Sequence, residues 1–301
     1  MDATSSQSLS RLIIPTSSGL DLLVTTSARG QMQRHMVEVE PRALIRNDIP
    51  HSARIWNFWM GGKDYCDIDR IVGGECISVY PDITTMAVQS RQFLVRAVDF
   101  VARDAGVHQF LDIGCGLPTL LNTHEVAQAV APVARVVYID DDPLVLAYAR
   151  ALLISTTPEG ITSCVYGDCH EPTQILYQAR NRLDFTEPVA VMFMGVLGHA
   201  RSHDDMLQAV RTVMAEMPSG SYLAMWDGTD DSPAYVEMCR RYGTAGATPY
   251  VPRPREEIRA AFDGLEFVEP GFVPITHWRA VAAEVGQTTP VSAYGAVARK
   301  P

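Results

Sequence analysis

From residue 108 to residue 228 the chain alternates short apolar runs with amphipathic stretches, and this rhythm restricts the fold more than any other feature. "FLDIG", "ARVVYID", "SCVYGD", "PVAVMFMGVL" and "SYLAMWDG" are near-continuous apolar runs of the kind buried on both faces. Between them apolar residues recur at helical spacing. Val126, Ala129, Val130 and Val133 form one stripe, Leu144, Ala147, Tyr148, Ala151 and Leu152 a second, and Met206, Val210, Val213, Met214 and Met217 a third. Asn122 followed by Glu125 marks a helix start, and Pro143 suits the first turn of the next helix. Strands alternating with helices predict an α/β fold with a doubly wound, mostly parallel sheet.

The remainder of the chain is read around this core. Residues 1–40 are polar and Ser-rich at the start and lack sustained periodicity, so they are expected to form a loosely ordered N-terminal extension. Residues 41–301 are expected to form one domain, with 41–107 an N-terminal helical or lid segment and 108–301 the α/β core. A helical pattern runs from about residue 84 toward Gly106, a plausible C-cap. With 47% apolar and 20% charged residues, wholesale disorder is excluded. A net charge of −10 argues against nucleic acid or anionic membrane as partner. No apolar run is long enough for a membrane helix, and no secretory leader is evident. The six cysteines form no C-x-x-C pair, so no metal site is expected, and reduced thiols in the cytoplasm are the reading adopted.

In a doubly wound sheet, ligands sit beyond the carboxyl ends of the strands. The tips here are Asp112–Thr119, Asp140–Asp142, Gly167–Cys169, Met194–His199 and Asp227–Thr229. Gly114 and Gly116 permit close backbone approach to a ligand. Asp140 can accept from both hydroxyls of a ribose, and Gly167, Asp168 and Cys169 can read an adenine edge. Met194 and Gly195 complete the row. Thr119 stands where a dinucleotide fingerprint needs its third glycine, which favours an adenosyl ligand over a nicotinamide dinucleotide. Each motif alone is weak, since glycine turns and acidic helix starts are common; their order along the chain adds the weight.

After "PREEIRAAFDGL" two strand-like runs, "EFVEPGFVPI" and "SAYGAVARK", close the chain without a helix between them. That ending suits the seven-stranded, Rossmann-like sheet of class I methyltransferases, whose last strand is antiparallel. "HSARIWNFWMGGKDYCDIDR", "FLDIGCGLPT", "VVYIDDDPLVLAYARALL", "DGLEFVEPGFVPITHWR" and "YGAVARKP" together resemble an actinobacterial family of S-adenosylmethionine-dependent methyltransferases, long known only as a domain of unknown function. The resemblance spans about residues 42–301. It implies S-adenosyl-L-methionine as cofactor and an unassigned, small-molecule acceptor. It further implies that Asp112, Gly114 and Gly116 cradle the methionine part, that Asp140 holds the ribose with Asp141 beside it, and that Asp168 and Cys169 flank the adenine. Arg54, Gly62 and Asp64 match the family's N-terminal signature and are expected to close over the ligand. Two positions depart from the pattern: Asn57 replaces an expected aspartate, and Gly198 an expected histidine.

Methyl transfer needs a general base only for hydroxyl or carbon acceptors. His199 is the candidate catalytic residue, with a solvent-facing helix-cap role as its alternative; His277, Trp278 and Tyr80 are weaker candidates for the acceptor pocket. "SARIWNFWMGGKD" is read as a lid whose Arg54 meets the methionine carboxylate, against the alternative of a helix docked across the sheet and ended by its glycine pair. A non-catalytic protein that binds S-adenosylmethionine or S-adenosylhomocysteine is the second functional reading.

Overall fold

The computed structural model describes residues 11–15, 21–26, 32–36, 46–280 and 290–301. The chain divides into two units, 1–45 and 46–301. In the first, β1 (Arg11–Pro15), β2 (Asp21–Thr26) and β3 (Met32–Met36) form an antiparallel sheet in the order β1-β2-β3. These strands fall in the span expected to be a loosely ordered extension. The rest of that span, and its boundary at residue 40, lie outside the described residues.

The second unit opens with helices α1 (Ser52–Trp59), α2 (Asp67–Val79) and α3 (Ile83–Arg103). The alternating core follows as β4 (Gln109–Ile113), α4 (Thr123–Val130), β5 (Arg135–Asp140), α5 (Pro143–Leu152), β6 (Ile161–Tyr166), α6 (Pro172–Ala179), β7 (Ala190–Met194), α7 (His203–Ala215) and β8 (Tyr222–Gly228). Helices α8 (Pro233–Thr244) and α9 (Arg255–Arg259) precede β9 (Glu266–Phe267), β10 (Val273–Pro274) and β11 (Ala293–Arg299).

The main sheet runs β10-β11-β8-β7-β4-β5-β6, with β9 also paired to β11. Strands β4 to β8 pair in parallel, and β11 lies antiparallel to β8. The sheet therefore has eight strands where seven were expected. The run expected as one strand over 266–275 is split in two by Pro270-Gly271, where Gly271 adopts a φ of +87° and turns the chain back on Val268.

Strand side chains alternate between faces, so each apolar run feeds two cores. Phe110, Val136, Tyr138, Met192, Ala224 and Trp226 pack under α1 to α4 and α8. Leu111, Ile113, Val137, Ile139, Phe193 and Met225 pack under α6, α7 and α9. Helix ends follow the sequence signals. The Asn122 backbone N–H donates to Glu125 Oε2 at 2.6 Å, and Asp142 Oδ1 accepts from the Leu144 N–H at 2.8 Å ahead of Pro143. The chain winds outward from β4 through β5 to β6, then returns so that β7 pairs with the other side of β4. That reversal opens a crevice at the carboxyl end of β4.

Candidate active site

A cavity of about 220 Å³ occupies this crevice. Its floor is the turn after β4. Gly114 has a φ of +70°, and a Cβ there would lie 2.3 Å from a Val196 methyl, so the turn closes onto the tip of β7. Gly116 has a φ of +65° and only open space where its Cβ would be. This turn is laid down by backbone bonds: the Gly114 N–H donates to the Ile139 carbonyl at 2.8 Å, and the Gly116 N–H to Asp140 Oδ2 at 2.9 Å.

Three carboxylates sit above this floor. Asp112, at the end of β4, accepts from the Thr123 hydroxyl at Oδ2 (2.6 Å), while its Oδ1 is buried without a partner. Burial pushes its carboxyl up, and the Thr123 bond and the nearby Arg91 guanidinium oppose the shift. Asp140, at the end of β5, takes one backbone N–H on each oxygen, from Gly116 and from Asp142. Burial nevertheless pushes it to about 7. Asp168 follows β6 and accepts at Oδ1 from the His170 backbone N–H (2.8 Å) and faces His170 Nδ1 (2.7 Å). Asp141 and Cys169 also line the cavity, and burial drives the Cys169 thiol up to about 12. Asp142 caps α5 instead; His51 Nδ1 lies 3.1 Å from its Oδ2, off hydrogen-bonding geometry.

Of the residues singled out from sequence, Asp112, Gly114, Gly116, Asp140, Asp141, Asp168, Cys169, Met194, Gly195 and His199 line one cavity. Gly167 stands just behind it, where a Cβ would meet the Ile139 side chain at 2.7 Å. Arg54, Gly62 and Asp64 do not line it. Arg54 is 3% exposed and donates from Nε to Asp69 Oδ2 at 2.6 Å. Its other nitrogens reach the carbonyls of Ile49 (2.6 Å) and Arg46 (3.2 Å). Gly62 packs against the Asn57 side chain, and the Asp64 N–H donates to Asn57 Oδ1 at 3.0 Å. The segment read as a lid is a docked helix with a stapled C-terminal loop. Its aromatic face still serves the cavity, through Trp56, Trp59 and Met60. Trp278 is fully buried core, His277 is exposed, and Tyr80 is buried against Tyr235; none of the three lines the cavity.

Sequence reasoning missed Arg91. It lies on the stripe of α3 that carries Ala87, Leu94 and Val98, all buried, and its guanidinium reaches the cavity near Asp112. Among the described residues it makes no hydrogen bond or ion pair, and burial pushes it below its ordinary value. A cation on the buried stripe of an amphipathic helix was the available signal. Also missed was the wall contributed by α8 and the loop after it, with Tyr235, Met238, Tyr242 and Tyr250. Tyr250 explains the glycine at 198: a Cβ there would lie 2.2 Å from Tyr250 Cζ, so the tyrosine ring fills the space a side chain would need.

The residues fit an adenosyl amino acid. Asp112 offers an unpartnered buried oxygen, Gly116 offers a cradle that a Cβ would fill, and Arg91 and Asp140 offer a free cation and a hydroxyl acceptor. The sequence profile of the S-adenosyl methyltransferase family matches residues 38–301. The crystal structure of a DUF574-family protein from Streptomyces avermitilis is 41% identical, covers 85% of this chain and 100% of its own, and superposes with a TM-score of 0.81. A candidate methyltransferase from Thermobifida fusca is 35% identical over 88% of this chain and 99% of its own, with a TM-score of 0.76. Among curated proteins no match is found. The chain belongs to the S-adenosyl methyltransferase family and is an S-adenosylmethionine-dependent methyltransferase.

Proposed function

We propose that this enzyme methylates a small molecule held in the aromatic end of the cavity, and that Arg91 and Asp112 bind the two charged ends of the cofactor's amino acid. The observation that carries the reading is a pair of opposite charges lining one cavity: Asp112 Oδ1, buried without a hydrogen-bond partner, and the Arg91 guanidinium, which makes no hydrogen bond or ion pair among the described residues. An α-carboxylate and an α-ammonium complement them. Asp140 takes the ribose hydroxyls, and Asp141, Asp168 and Cys169 bound the adenine, with Gly167 bringing the chain close. Met194 and Gly195 face the glycine turn and separate the cofactor from the acceptor. S-adenosylmethionine supplies a methyl group on a cationic sulfur. The chain's own contribution is alignment, worth roughly 7–11 kcal/mol of the barrier, with His199 as general base. Six free cysteines support a reducing, cytoplasmic setting.

Asp140 makes the binding pH-dependent. Ribose hydroxyls donate to the ionised carboxylate, so cofactor binding expels the proton that the free site holds below about pH 7. Affinity is expected to fall by up to about tenfold per pH unit below 7, with proton release visible in calorimetry across buffers of different ionisation enthalpy. The unliganded fold runs the other way. A carboxyl raised above its unfolded value keeps its proton in the native state, so stability falls as pH rises toward 7. Asp140→Ala removes the slope and weakens binding by about 1.5–3 kcal/mol; an unchanged slope places the titrating group elsewhere.

The described residues lining the cavity all fall between His51 and Tyr250. A chain beginning at Arg46 is therefore expected to bind S-adenosylhomocysteine within about twofold of the full chain, by calorimetry. Loss of binding by a folded truncation makes residues 1–45 part of the site.

A further inference from the structure

We propose that the methyl acceptor is an uncharged, planar aromatic compound that carries its hydroxyl on the ring. This inference rests on the cofactor placement above and names what lies beside it.

The first observation is how charge is distributed around the cavity. Arg91, Asp112, Asp140, Asp141 and Asp168 cluster at the ends of β4 to β6 and on the helix above them. The other end is walled by Trp56, Trp59, Met60, Tyr235, Met238 and Tyr242, and none of its described lining residues is Lys, Arg, Asp or Glu. These rings are braced by one another: Trp56 stacks on Trp226 at 6.0 Å and meets Trp59 edge-on at 5.5 Å, and Trp59 leans on Tyr242 at 6.1 Å. A charged acceptor entering here loses its hydration without finding a countercharge. A flat apolar body finds ring faces, ring edges and thioethers.

The second observation is the state of His199. Its Nδ1 lies 2.9 Å from the Pro249 carbonyl oxygen. A carbonyl only accepts, so Nδ1 carries the hydrogen, and in the neutral ring Nε2 is left with its lone pair. No side chain among the described residues hydrogen-bonds Nε2, and besides Pro249 the Thr248 carbonyl is the other backbone group that acts on the ring. The ring is held in place by Tyr250, which meets it edge-on at 5.2 Å. Tyr250 is itself pinned, since its hydroxyl donates to Asp227 Oδ1 and accepts from the Gly228 N–H at 3.0 Å. His199 is thus an oriented proton acceptor lining the same cavity, between the Tyr250 ring and His170.

Its strength then selects the hydroxyl. Ordinary values are about 6.5 for imidazole and about 10 for a phenol, and the aliphatic hydroxyl resembles water, at about 15.7. Proton transfer from a phenol is therefore about 10⁵- to 10⁶-fold less uphill than from an alcohol. Burial lowers His199 and widens both gaps alike, so the preference for the phenol is kept. In the step itself, the acceptor oxygen gives its proton to Nε2 and forms its bond to the methyl carbon. The carbon–sulfur bond breaks and its electron pair stays on sulfur, now a neutral thioether. The imidazolium afterwards returns its proton to solvent.

The test uses the full chain saturated with S-adenosylhomocysteine and follows four probes by calorimetry: 2-naphthol, 2-decalol, 2-naphthoate and 2-naphthylmethylammonium. Naphthol is expected to bind at least threefold more tightly than decalol, an aromatic-pair advantage, and at least tenfold more tightly than either ion. With S-adenosylmethionine labelled in the methyl group, the label is expected on the naphthol oxygen. His199→Gln is expected to slow that transfer by about 10²- to 10⁴-fold while both binding constants stay within about twofold. An ion or decalol that binds as tightly as naphthol overturns the proposal. So does naphthol that binds without being methylated, or an unchanged rate in His199→Gln. Failure of S-adenosylhomocysteine itself to bind overturns instead the cofactor placement on which the proposal rests.

Discussion

Arg54→Ala is expected to lower the melting temperature of the unliganded protein by about 10 °C, the consequence of about 3–5 kcal/mol lost when one member of a buried ion pair is removed. Arg54 joins α1 to α2 through Asp69, which is fully buried. Asp69 also accepts from the backbone N–H groups of His51 (2.9 Å) and Cys66 (2.8 Å), so the carboxylate organises three segments. Without the guanidinium, that charge remains buried with two amide donors, and the carbonyls of Ile49 and Arg46 lose their donor. The double change Arg54→Met with Asp69→Asn removes both charges and is expected to recover at least half of the loss, because the uncompensated charge carries most of the cost. Cofactor affinity, measured well below the melting temperature, is expected to stay within about twofold. The opposite pattern, normal melting with weakened binding, restores the lid reading of this segment.

Arg91→Met is expected to do the reverse. Truncating one partner of a desolvated charge pair costs roughly 2–5 kcal/mol, so S-adenosylhomocysteine affinity falls at least 30-fold. The unliganded protein is expected to melt at the same temperature or slightly higher, since the substitution removes a half-buried cation that makes no ion pair among the described residues. Methylthioadenosine lacks the amino acid and is expected to bind the variant and the parent equally. Calorimetry with both ligands separates the roles: a uniform loss for both places Arg91 in the scaffold, and no loss for either removes it from the site.

The contrast between these two arginines shows where sequence reading stops. Both are single cations in apolar surroundings, and Arg54 had the more suggestive neighbours, a glycine pair and an aromatic cluster. Its partner Asp69 lies a helix away, and only the packing of α1 on α2 brings the two within 2.6 Å. Arg91 carried a quieter signal, its place on the buried stripe of α3. What that stripe faces depends on the docking of α3 across the carboxyl end of β4, which no local pattern encodes.

The aromatic wall of the cavity follows the same rule. His199 was legible because it follows a strand, and strand ends in this fold share one edge. Tyr250, Tyr235 and Tyr242 were not, because they belong to α8 and the loop beyond it, whose path over the sheet is set by tertiary packing. Gly198 looked like a defect in sequence and proves to be the room made for the Tyr250 ring.

The sequence by itself determined the two-sided sheet, the positions of its helices and the row of groups at its strand ends, from Asp112 and Gly116 through Asp140 to Asp168. The reason is that near-continuous apolar runs mark strands buried on both faces, and parallel strands put their carboxyl ends in line. Of the stripes read on α4, α5 and α7, only that of α7 is the buried one, since α5 buries Val145, Leu146 and Ala149 and leaves Leu152 exposed, and Val133 after α4 is exposed as well. The tertiary structure alone decided which arginine is scaffold and which reaches the cavity, and which aromatic rings line it. Those choices turn on contacts between elements distant in sequence, where the free energy of a charge depends on which partner packing places beside it.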